Sequence, residues 1–270
     1  MLTKKEIADY HRDGYVISKG FFNKEEAERI YEAAVSDNVL KNSSYDLNDK
    51  SGKKTKLALW YTPGDDIYGL TVRTERIVKS VEKLLGGEPA HYHTKVMQKE
   101  PKVGGAWEWH QDFGYWHRSG FLFPQMLSVM VALTQATEEN GCLKVLKGSH
   151  KLGLVQHGFE GEQVGIEQSL IDGLLERDYE PVLVELEPGD TLFFHCNTLH
   201  TSAANLSDHP RWSMISAFNR VSNKPYKEAP KSANTPINRV SDDVLKGDAI
   251  VAELSSKDML TQETGNPTKS

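Results

Sequence analysis

The stretch that decides the fold is Glu187-Pro-Gly-Asp-Thr-Leu-Phe-Phe-His195, in which a tight turn runs directly into a short apolar strand. Pro188 presets one turn dihedral, and Gly189 tolerates a positive one. Segments of this kind recur from residue 90 onward, rich in β-branched or aromatic residues and separated by Gly, Pro, Asn or Ser. They are 91–99, 126–134, 142–146, 182–186, 191–195 and 212–218. Several short, evenly spaced strands favour a sandwich or jelly-roll barrel over a doubly wound sheet.

The first part of the chain carries helix signals instead. Thr3 with Glu6, and Asn23 with Glu26, have the spacing of capping boxes, which predicts two short helices. A further helix is predicted over residues 72–85, where apolar side chains recur at helical intervals up to a pair of glycines. The fold class is therefore predicted to be mainly β (α+β), with helices flanking the sheet on its N-terminal side.

Three other segments lack a regular period. Residues 40–69 are polar and are predicted to form an irregular loop. The charged stretch 152–179 is predicted to be an insertion with a helical turn near 169–175, and long insertions often act as lids. We predict one domain over 1–223 and a polar C-terminal extension over 224–270 that packs on or near it. Whether the insertion or the extension closes over a site is left open.

Composition excludes several classes of protein. The net charge of −6 with dispersed Lys and Arg provides no basic stripe for nucleic acid. No window approaches the roughly 18 apolar residues of a membrane span, and the first ten residues lack a signal-peptide core. Cys142 and Cys196 are too few for a disulfide framework. We therefore expect a cytoplasmic monomer or homodimer that binds no membrane and acts on a small molecule.

The candidate chemistry begins in Trp107-Glu-Trp-His-Gln-Asp112. Side chains two apart on a strand point the same way, so one metal ion could bind both His110 and Asp112. His-x-Asp is a weak signal by itself. In the alternative interpretation, Asp112 only caps a turn by accepting backbone N–H bonds from Phe113 and Gly114.

A second histidine, His200, follows the strand that ends at His195. If His110, Asp112 and His200 converge, they form the two-histidine, one-carboxylate set typical of non-haem Fe(II) oxygenases, which leaves coordination positions open. His195 itself lies on an apolar strand and is predicted to be a core histidine bonded to backbone.

Arg211 follows His200 by eleven residues, on the next predicted strand. There its planar guanidinium could grip a dicarboxylate in bidentate fashion. The alternative is a surface ion pair. The apolar neighbours Trp212, Met214 and Ile215 indicate a buried strand, where an unpaired guanidinium would be costly, and they weaken that alternative.

The strand 91–99 places His93, Lys95, Met97 and Lys99 on one face. A buried Lys95 would favour a substrate with an anionic group such as a carboxylate or phosphonate. The alternative is a lysine that reaches solvent past a strand edge.

Taken together, these motifs resemble the phytanoyl-CoA dioxygenase family of Fe(II)- and 2-oxoglutarate-dependent oxygenases, and in particular its ectoine-hydroxylase-like members. The matching blocks run in the family's order from about residue 5 to about residue 222. They are Tyr10-His-Arg-Asp-Gly-Tyr-Val16, Phe21-Phe22, Lys99-Glu-Pro101, Trp109-His-Gln-Asp112, Glu139-Asn-Gly-Cys-Leu143, Gly148-Ser-His150, Glu187-Pro-Gly-Asp190, His200 and Arg211.

The resemblance implies a double-stranded β-helix, that is, a cupin-like jelly roll. It implies His110, Asp112 and His200 as the iron ligands and the catalytic centre. It also implies Fe(II), 2-oxoglutarate and dioxygen as cofactors and co-substrates, with ascorbate as the reductant in vitro. Related halogenases lack the carboxylate ligand, so a chain that keeps Asp112 is expected to hydroxylate.

The same resemblance implies how the organic ligands are held. Arg211 would bind the distal carboxylate of 2-oxoglutarate, with Ser202 or Ser213 as a hydroxyl partner. His93 and Lys95 lie on the strand that supplies polar contacts to co-substrate and substrate.

The predicted function is hydroxylation of a small polar or charged metabolite with release of succinate and carbon dioxide. An amino acid, a betaine-like compound or an aminophosphonate such as 2-aminoethylphosphonate would fit. The first alternative is an acyl-CoA hydroxylase, for which Lys50, Lys53, Lys54 and Lys56 could bind the CoA phosphates. The second is a non-catalytic, metal-binding cupin-like sensor, which would have no use for the clamp at Arg211.

Overall fold

The computed structural model describes residues 1–160, 163–247 and 250–260. Within them, two antiparallel sheets face each other and helices cover the outside of the larger one. The strands are β1 (Tyr15–Ser18), β2 (Tyr45–Asn48), β3 (Lys54–Trp60), β4 (Pro89–Lys99), β5 (Trp107–His110), β6 (Met126–Ala132), β7 (Leu143–Leu146), β8 (Gly158–Glu160), β9 (Gln163–Gly165), β10 (Pro181–Val184), β11 (Thr191–His195), β12 (His200–Ser202), β13 (Arg211–Arg220) and β14 (Met259–Leu260).

The α-helices are α1 (Lys4–Asp13), α2 (Lys24–Ser36), α3 (Asn38–Ser43), α4 (Ile67–Arg73), α5 (Glu75–Leu85), α6 (Asp112–Arg118) and α7 (Gln168–Leu175). Short 3-10 turns lie at Ser149–Leu152, Lys231–Asn234 and Asp242–Lys246. Both predicted capping boxes are present, at Thr3 before α1 and at Asn23 before α2. The helix predicted over 72–85 is α5, and it ends at the left-handed Gly86.

The larger sheet has the strand order β1-β11-β6-β13-β4-β3-β14, with β2 added beside β3, and the smaller sheet has the order β10-β7-β12-β5. Alternate residues of a strand face opposite sides. On the outer side of the larger sheet, Val131 and Met214 pack in one apolar cluster with Ile30 and Ile77 of the helices. On the inner side, residues of both sheets share a second cluster, which includes Met97, Met130, Leu192, Ile215, Leu143, Val145 and Val184. The predicted mainly β, jelly-roll fold with flanking N-terminal helices is confirmed.

The prediction of an irregular loop over residues 40–69 is wrong. The segment contains β2 and β3, which pair with each other, and β3 also pairs with β4. In β3 the lysines Lys54 and Lys56 are exposed, while Thr55 and Leu57 are buried. The polar residues Lys54 and Lys56 occupy the solvent side of this strand. Because the whole segment is rich in polar residues, its composition does not reveal the alternation that is typical of a strand.

The predicted insertion over 152–179 and the predicted extension over 224–270 both contact the barrel. The insertion contains the helix α7, close to the predicted turn, and the hairpin of β8 and β9. Beyond residue 223, Leu245 and Leu254 join the outer core and β14 pairs with β3. The domain boundary at 223 stays a prediction. Residues 161–162 of the insertion and 248–249 and 261–270 of the extension lie outside the described residues. In the described part of the chain, no helix is long and apolar enough to cross a bilayer.

The turn before β11 provides a test of the fold. Gly189 has a φ of 90°, and a Cβ atom there would lie 2.3 Å from the carbonyl oxygen of Phe22. Gly20 also has a positive φ, but a Cβ atom there would meet nothing within 4 Å. Gly20→Ala should lower the free energy of unfolding by about 1 kcal/mol because of its backbone conformation alone. Gly189→Ala should lower the free energy of unfolding by roughly 1–2 kcal/mol more than Gly20→Ala does, because the backbone at Phe22 must also move. Equal losses in urea unfolding would show that the turn does not press on residue 22.

Candidate active site

The site is built where the smaller sheet brings two distant strands together. β5 and β12 pair with His110 opposite His200, and the two ring centroids lie 4.0 Å apart. The Oδ1 atom of Asp112 lies 3.8 Å from the Nε2 atom of each histidine. One ligand atom from each of the three residues lies within 4.8 Å of the others, and all three residues are buried. This spacing can hold a single metal ion.

Backbone contacts fix which ring nitrogen each histidine offers. The Nδ1 atom of His110 lies 2.7 Å from the carbonyl oxygen of Glu108, and that of His200 lies 2.9 Å from the carbonyl oxygen of Thr198. A carbonyl only accepts, so each Nδ1 carries the proton and donates it, leaving Nε2 with a free lone pair. Burial, and then the neighbouring imidazole of His200, hold the pKa of His110 well below its ordinary value. Burial also lowers the pKa of His200. Both imidazoles are thus neutral, which is the form that binds metal.

The carboxylate of Asp112 is oriented by a serine of the opposite sheet. Ser128 on β6 donates a hydrogen bond of 2.5 Å to Oδ2, so Oδ1 faces the two histidines. Burial by itself would raise the pKa of Asp112, but the neighbouring His200 and Lys95 and the hydrogen bond from Ser128 outweigh it, and the pKa is lowered. The residue is therefore a carboxylate near neutral pH. Ser128 was not found from the sequence, because nothing local marks a serine sixteen positions away as its partner.

The path of the chain between the ligands differs from the expectation. His110 ends β5, but Asp112 is the first residue of α6, so strand alternation is not what brings them together. The capped-turn alternative is also wrong. The backbone N–H of Phe113 donates to Cys196 and that of Gly114 donates to Gln111, so neither is used by Asp112.

Gln111, between the two ligands, fastens the insertion to the site. Its side-chain amide donates to the carbonyl oxygens of Gly153 and Asn197, and its Oε1 accepts from the N–H of Val155. The backbone N–H of Gln111 donates to Nε2 of His157, a residue of the insertion. The start of the insertion therefore packs directly against the ligand-bearing turn.

Arg211 lies at another position on the inner face, and it has no ion-pair partner among the described residues. It is the first residue of β13 and is 3% exposed. Its Nε has no hydrogen-bond partner in the described part of the chain, and the same holds for the hydroxyl of Ser213. Burial lowers the pKa of Arg211 to about 10, which leaves it charged at neutral pH. The surface ion pair considered for Arg211 is therefore ruled out. Ser202 on β12 is buried too, and its Oγ accepts from Lys99.

Lys95 and His93 lie closer to the metal ligands. The charge of Lys95 acts on the pKa values of His93, His110, Asp112 and His200. Its Nζ lies 5.9 Å from the ring centre of Trp107 on the facing sheet. β4 runs between β13 and β3, so Lys95 does not lie on an edge strand, and the residue is half-buried. His93 is buried among aromatic rings, and burial lowers its pKa to about 3.

His195 agrees with its prediction as a core histidine, whereas the burial of Lys99 is not predicted by the sequence. His195 accepts a hydrogen bond at Nδ1 from the backbone N–H of Asn197, as predicted for a core histidine. Lys99 is 0% exposed, although its sequence context marked it only as part of a motif. Its partner residues are about one hundred positions away, so no local pattern could reveal its burial.

The sequence pattern of the phytanoyl-CoA dioxygenase (PhyH) family matches residues 10–213, which include the whole ligand cluster and Arg211. The chain belongs to the phytanoyl-CoA dioxygenase family. Membership confirms the predicted resemblance and the predicted class of enzyme, a dioxygenase.

Individual relatives agree with this assignment. The L-proline trans-4-hydroxylase of Streptomyces griseoviridis is 30% identical over 176 residues, which are 60% of this chain and 66% of that enzyme. The ectoine dioxygenase of Bordetella parapertussis is 24% identical over 236 residues, covering 82% of this chain and 77% of that enzyme. The crystal structure of EctD from S. alaskensis with 2-oxoglutarate and 5-hydroxyectoine superposes with a TM-score of 0.69 at 20% identity, over 89% of this chain and 88% of EctD. A second EctD structure contains bound Fe and has a TM-score of 0.68. The predicted cofactors agree with these structures and with the His-Asp-His cluster.

A graded set of variants tests the metal site. Asp112→Ala and His200→Ala should abolish binding of one Fe(II) per chain, because two remaining ligands hold the ion poorly. Ser128→Ala should weaken Fe(II) binding by about 10–100-fold, since it frees the carboxylate to rotate. His117→Ala, at an exposed histidine of α6, is the matched control and should bind as the unaltered protein does. Anaerobic Fe(II) titration measures all four, and undiminished binding in His200→Ala would place the metal elsewhere.

Proposed function

We propose that the protein is an Fe(II)- and 2-oxoglutarate-dependent hydroxylase of a small polar metabolite that carries an anionic group. The observation that carries this proposal is the distribution of unmatched groups on the inner face of the barrel. A three-ligand cluster with two free imidazole lone pairs shares that face with a buried guanidinium that has no ion-pair partner in the described part of the chain. A dicarboxylate could bind the metal at one end and pair its other carboxylate with the guanidinium.

The residues present fit an iron ion. His110, Asp112 and His200 would hold it, because two neutral imidazoles and one carboxylate are the ligand set suited to Fe(II) with open positions. Bound Fe(II) supplies the activation of dioxygen on which oxidative decarboxylation of 2-oxoglutarate to succinate and carbon dioxide depends. The protein's part is to keep Asp112 ionised, the two imidazoles neutral and their Nε2 atoms turned inward.

Arg211 and Ser213 would bind the distal carboxylate of 2-oxoglutarate. A guanidinium presents two parallel N–H groups that match a carboxylate, and a buried carboxylate would in turn provide the charge that the guanidinium lacks. The free hydroxyl of Ser213 lies two positions along the same strand, on the same face. Ser202 would add a third donor from the smaller sheet.

Arg211→Lys tests this clamp. The substitution keeps the positive charge but removes the bidentate fork, so the KM for 2-oxoglutarate should rise by about tenfold or more while Fe(II) affinity stays unchanged. Arg220→Lys, at the other end of β13, is the matched control and should leave KM unaltered. Succinate formation measured against 2-oxoglutarate concentration gives both values. An unchanged KM in Arg211→Lys would move the clamp to another residue.

The positive charge of Lys95 favours a substrate that carries an anionic group. Its charge acts on the three metal ligands, it has no ion-pair partner among the described residues, and its Nζ lies 5.9 Å from the ring centre of Trp107. His93 adds a neutral imidazole whose Nδ1 is buried and unpaired. An amino acid, a betaine-like acid or an aminophosphonate such as 2-aminoethylphosphonate offers an anion of suitable size. The named relatives act on L-proline and on ectoine, which are also small polar metabolites.

The two alternatives have less support. Of the lysines considered for a CoA thioester, Lys50 lies 3.7 Å from Glu108 and Lys54 lies 3.3 Å from Asp46, so their charges are partly neutralised. A sensor without turnover would need the metal ligands but not the buried Arg211.

The free, buried cysteines fit a cytoplasmic protein, and we propose a monomer or homodimer that binds neither nucleic acid nor membrane.

A product screen tests the reaction. With Fe(II), ascorbate and 2-oxoglutarate, a panel of amino acids, betaines and aminophosphonates should yield a product that gains one oxygen, even in high chloride, because Asp112 occupies the position that a halide would need. With labelled dioxygen, one labelled atom should enter succinate and the other should largely enter the product. His200→Ala should give neither. A chlorinated product, or a desaturated product without added oxygen, would contradict hydroxylation.

A further inference from the structure

Two buried cations face each other across neighbouring strands. Lys99, the last residue of β4, pairs in register with Arg211, the first residue of β13, and the two side chains are 0% and 3% exposed. Side chains of directly opposed residues lie on the same face of a sheet, where like charges repel. Burial, and then the charge of Arg211, hold the pKa of Lys99 well below its ordinary value.

No carboxylate among the described residues lies at hydrogen-bond distance from this pair. The charge of Asp49, in the turn between β2 and β3, acts on Lys99 and favours its protonated form. The oxygens of Asp49 are already used, because they accept from the backbone N–H groups of Ser51, Lys53 and Ala106. The thiol of Cys142, before β7, lies near both cations, but burial raises its pKa, so it is uncharged near neutral pH. The pair is left without a counter-ion at hydrogen-bond distance among the described residues.

The ammonium of Lys99 instead contacts the chain just beyond the metal ligand His200. Its Nζ donates to Oγ of Ser202 at 2.8 Å and to the carbonyl oxygen of Ala203 at 2.5 Å. A lysine ammonium has only donors, so Oγ of Ser202 must accept from it. The hydroxyl proton of Ser202 must then point elsewhere, and the described residues provide no acceptor for it.

We propose that Lys99 is a positioning residue for the carboxylate that Arg211 binds. By donating to Ser202 it turns the serine hydroxyl into a donor toward that carboxylate, and its own charge adds to the field of the guanidinium. The inference rests on the proposed function, in which the carboxylate is the distal group of 2-oxoglutarate. The competing account is structural only, with Lys99 serving to hold the carbonyl of Ala203.

The variants separate these accounts. Lys99→Met removes both the charge and the hydrogen bonds. Lys99→Gln removes the charge but keeps an N–H donor for the carbonyl of Ala203. Ser202→Ala removes the hydroxyl through which Lys99 would act on the carboxylate. Lys102→Met is the matched control, because Lys102 also donates to a carbonyl of this loop, that of Leu206 at 2.7 Å, but from the exposed surface.

The measurement is anaerobic calorimetric titration of 2-oxoglutarate into the Fe(II)-loaded full chain. We expect Lys99→Met and Lys99→Gln to bind 2-oxoglutarate at least about tenfold more weakly, as a lost hydrogen bond to a charged group would predict, with Fe(II) affinity unchanged. The double variant Lys99→Met with Ser202→Ala should bind no more weakly than the weaker single variant, because both changes remove one interaction. Lys102→Met should bind within about twofold of the unaltered protein.

Three results would overturn the inference. If Lys99→Gln binds 2-oxoglutarate as tightly as the unaltered protein, the role of Lys99 is structural. If the losses of the two single variants multiply in the double variant, Lys99 does not act through Ser202. If the unaltered, Fe(II)-loaded protein does not bind 2-oxoglutarate, the proposed function fails together with this inference, whereas the first two results leave the proposed function intact.

Discussion

The antiparallel pairing of β5 with β12 brings His110 opposite His200, and the other parts of the site are placed relative to that pair. The pairing joins segments ninety positions apart, so it depends on the closed barrel and not on local preference. After β5 the chain turns at Gln111 into α6. Asp112, the first residue of this helix, lies beside the two imidazoles, with its Oδ1 atom 3.8 Å from each Nε2. Ser128 then reaches across from the larger sheet and fixes the carboxylate. Ligand geometry thus depends on both sheets keeping their register.

A second constraint is the balance of charge inside the barrel. Lys95, Lys99 and Arg211 all lie on the inner face of the larger sheet, and the carboxylate of Asp112 is committed to the metal cluster. Burying Lys99 and Arg211 without counter-ions among the described residues lowers stability unless a ligand supplies the anions. The apolar contacts of the helices on the outer face offset that cost. The same imbalance explains why the site would select ligands with carboxylate or phosphonate groups.

Much of this arrangement could be predicted from the sequence. The turn at Pro188 and Gly189 and the period-two segments predict the jelly roll, and the two capping boxes predict the first helices. The sequence does not reveal contacts between distant strands, such as Lys99 with Ser202 or Ser128 with Asp112, because no local period encodes them. It also misleads where polar residues line the exposed side of a strand, as Lys54 and Lys56 do in β3. Asp112 is a member of the cluster, but it begins a helix, so the strand alternation that predicts its place beside His110 is not the reason for it.

The most direct test of the account is the visible absorption that Fe(II) and a 2-oxo acid give only when they are bound to each other. Under anaerobic conditions, the full chain should develop this absorption when both Fe(II) and 2-oxoglutarate are present. The absorption should be absent in His200→Ala and should require a higher concentration of 2-oxoglutarate in Arg211→Lys. That result would place the co-substrate between the metal cluster and the buried guanidinium. If no absorption develops although Fe(II) is bound, the metal cluster and Arg211 do not share a ligand, and the account is wrong.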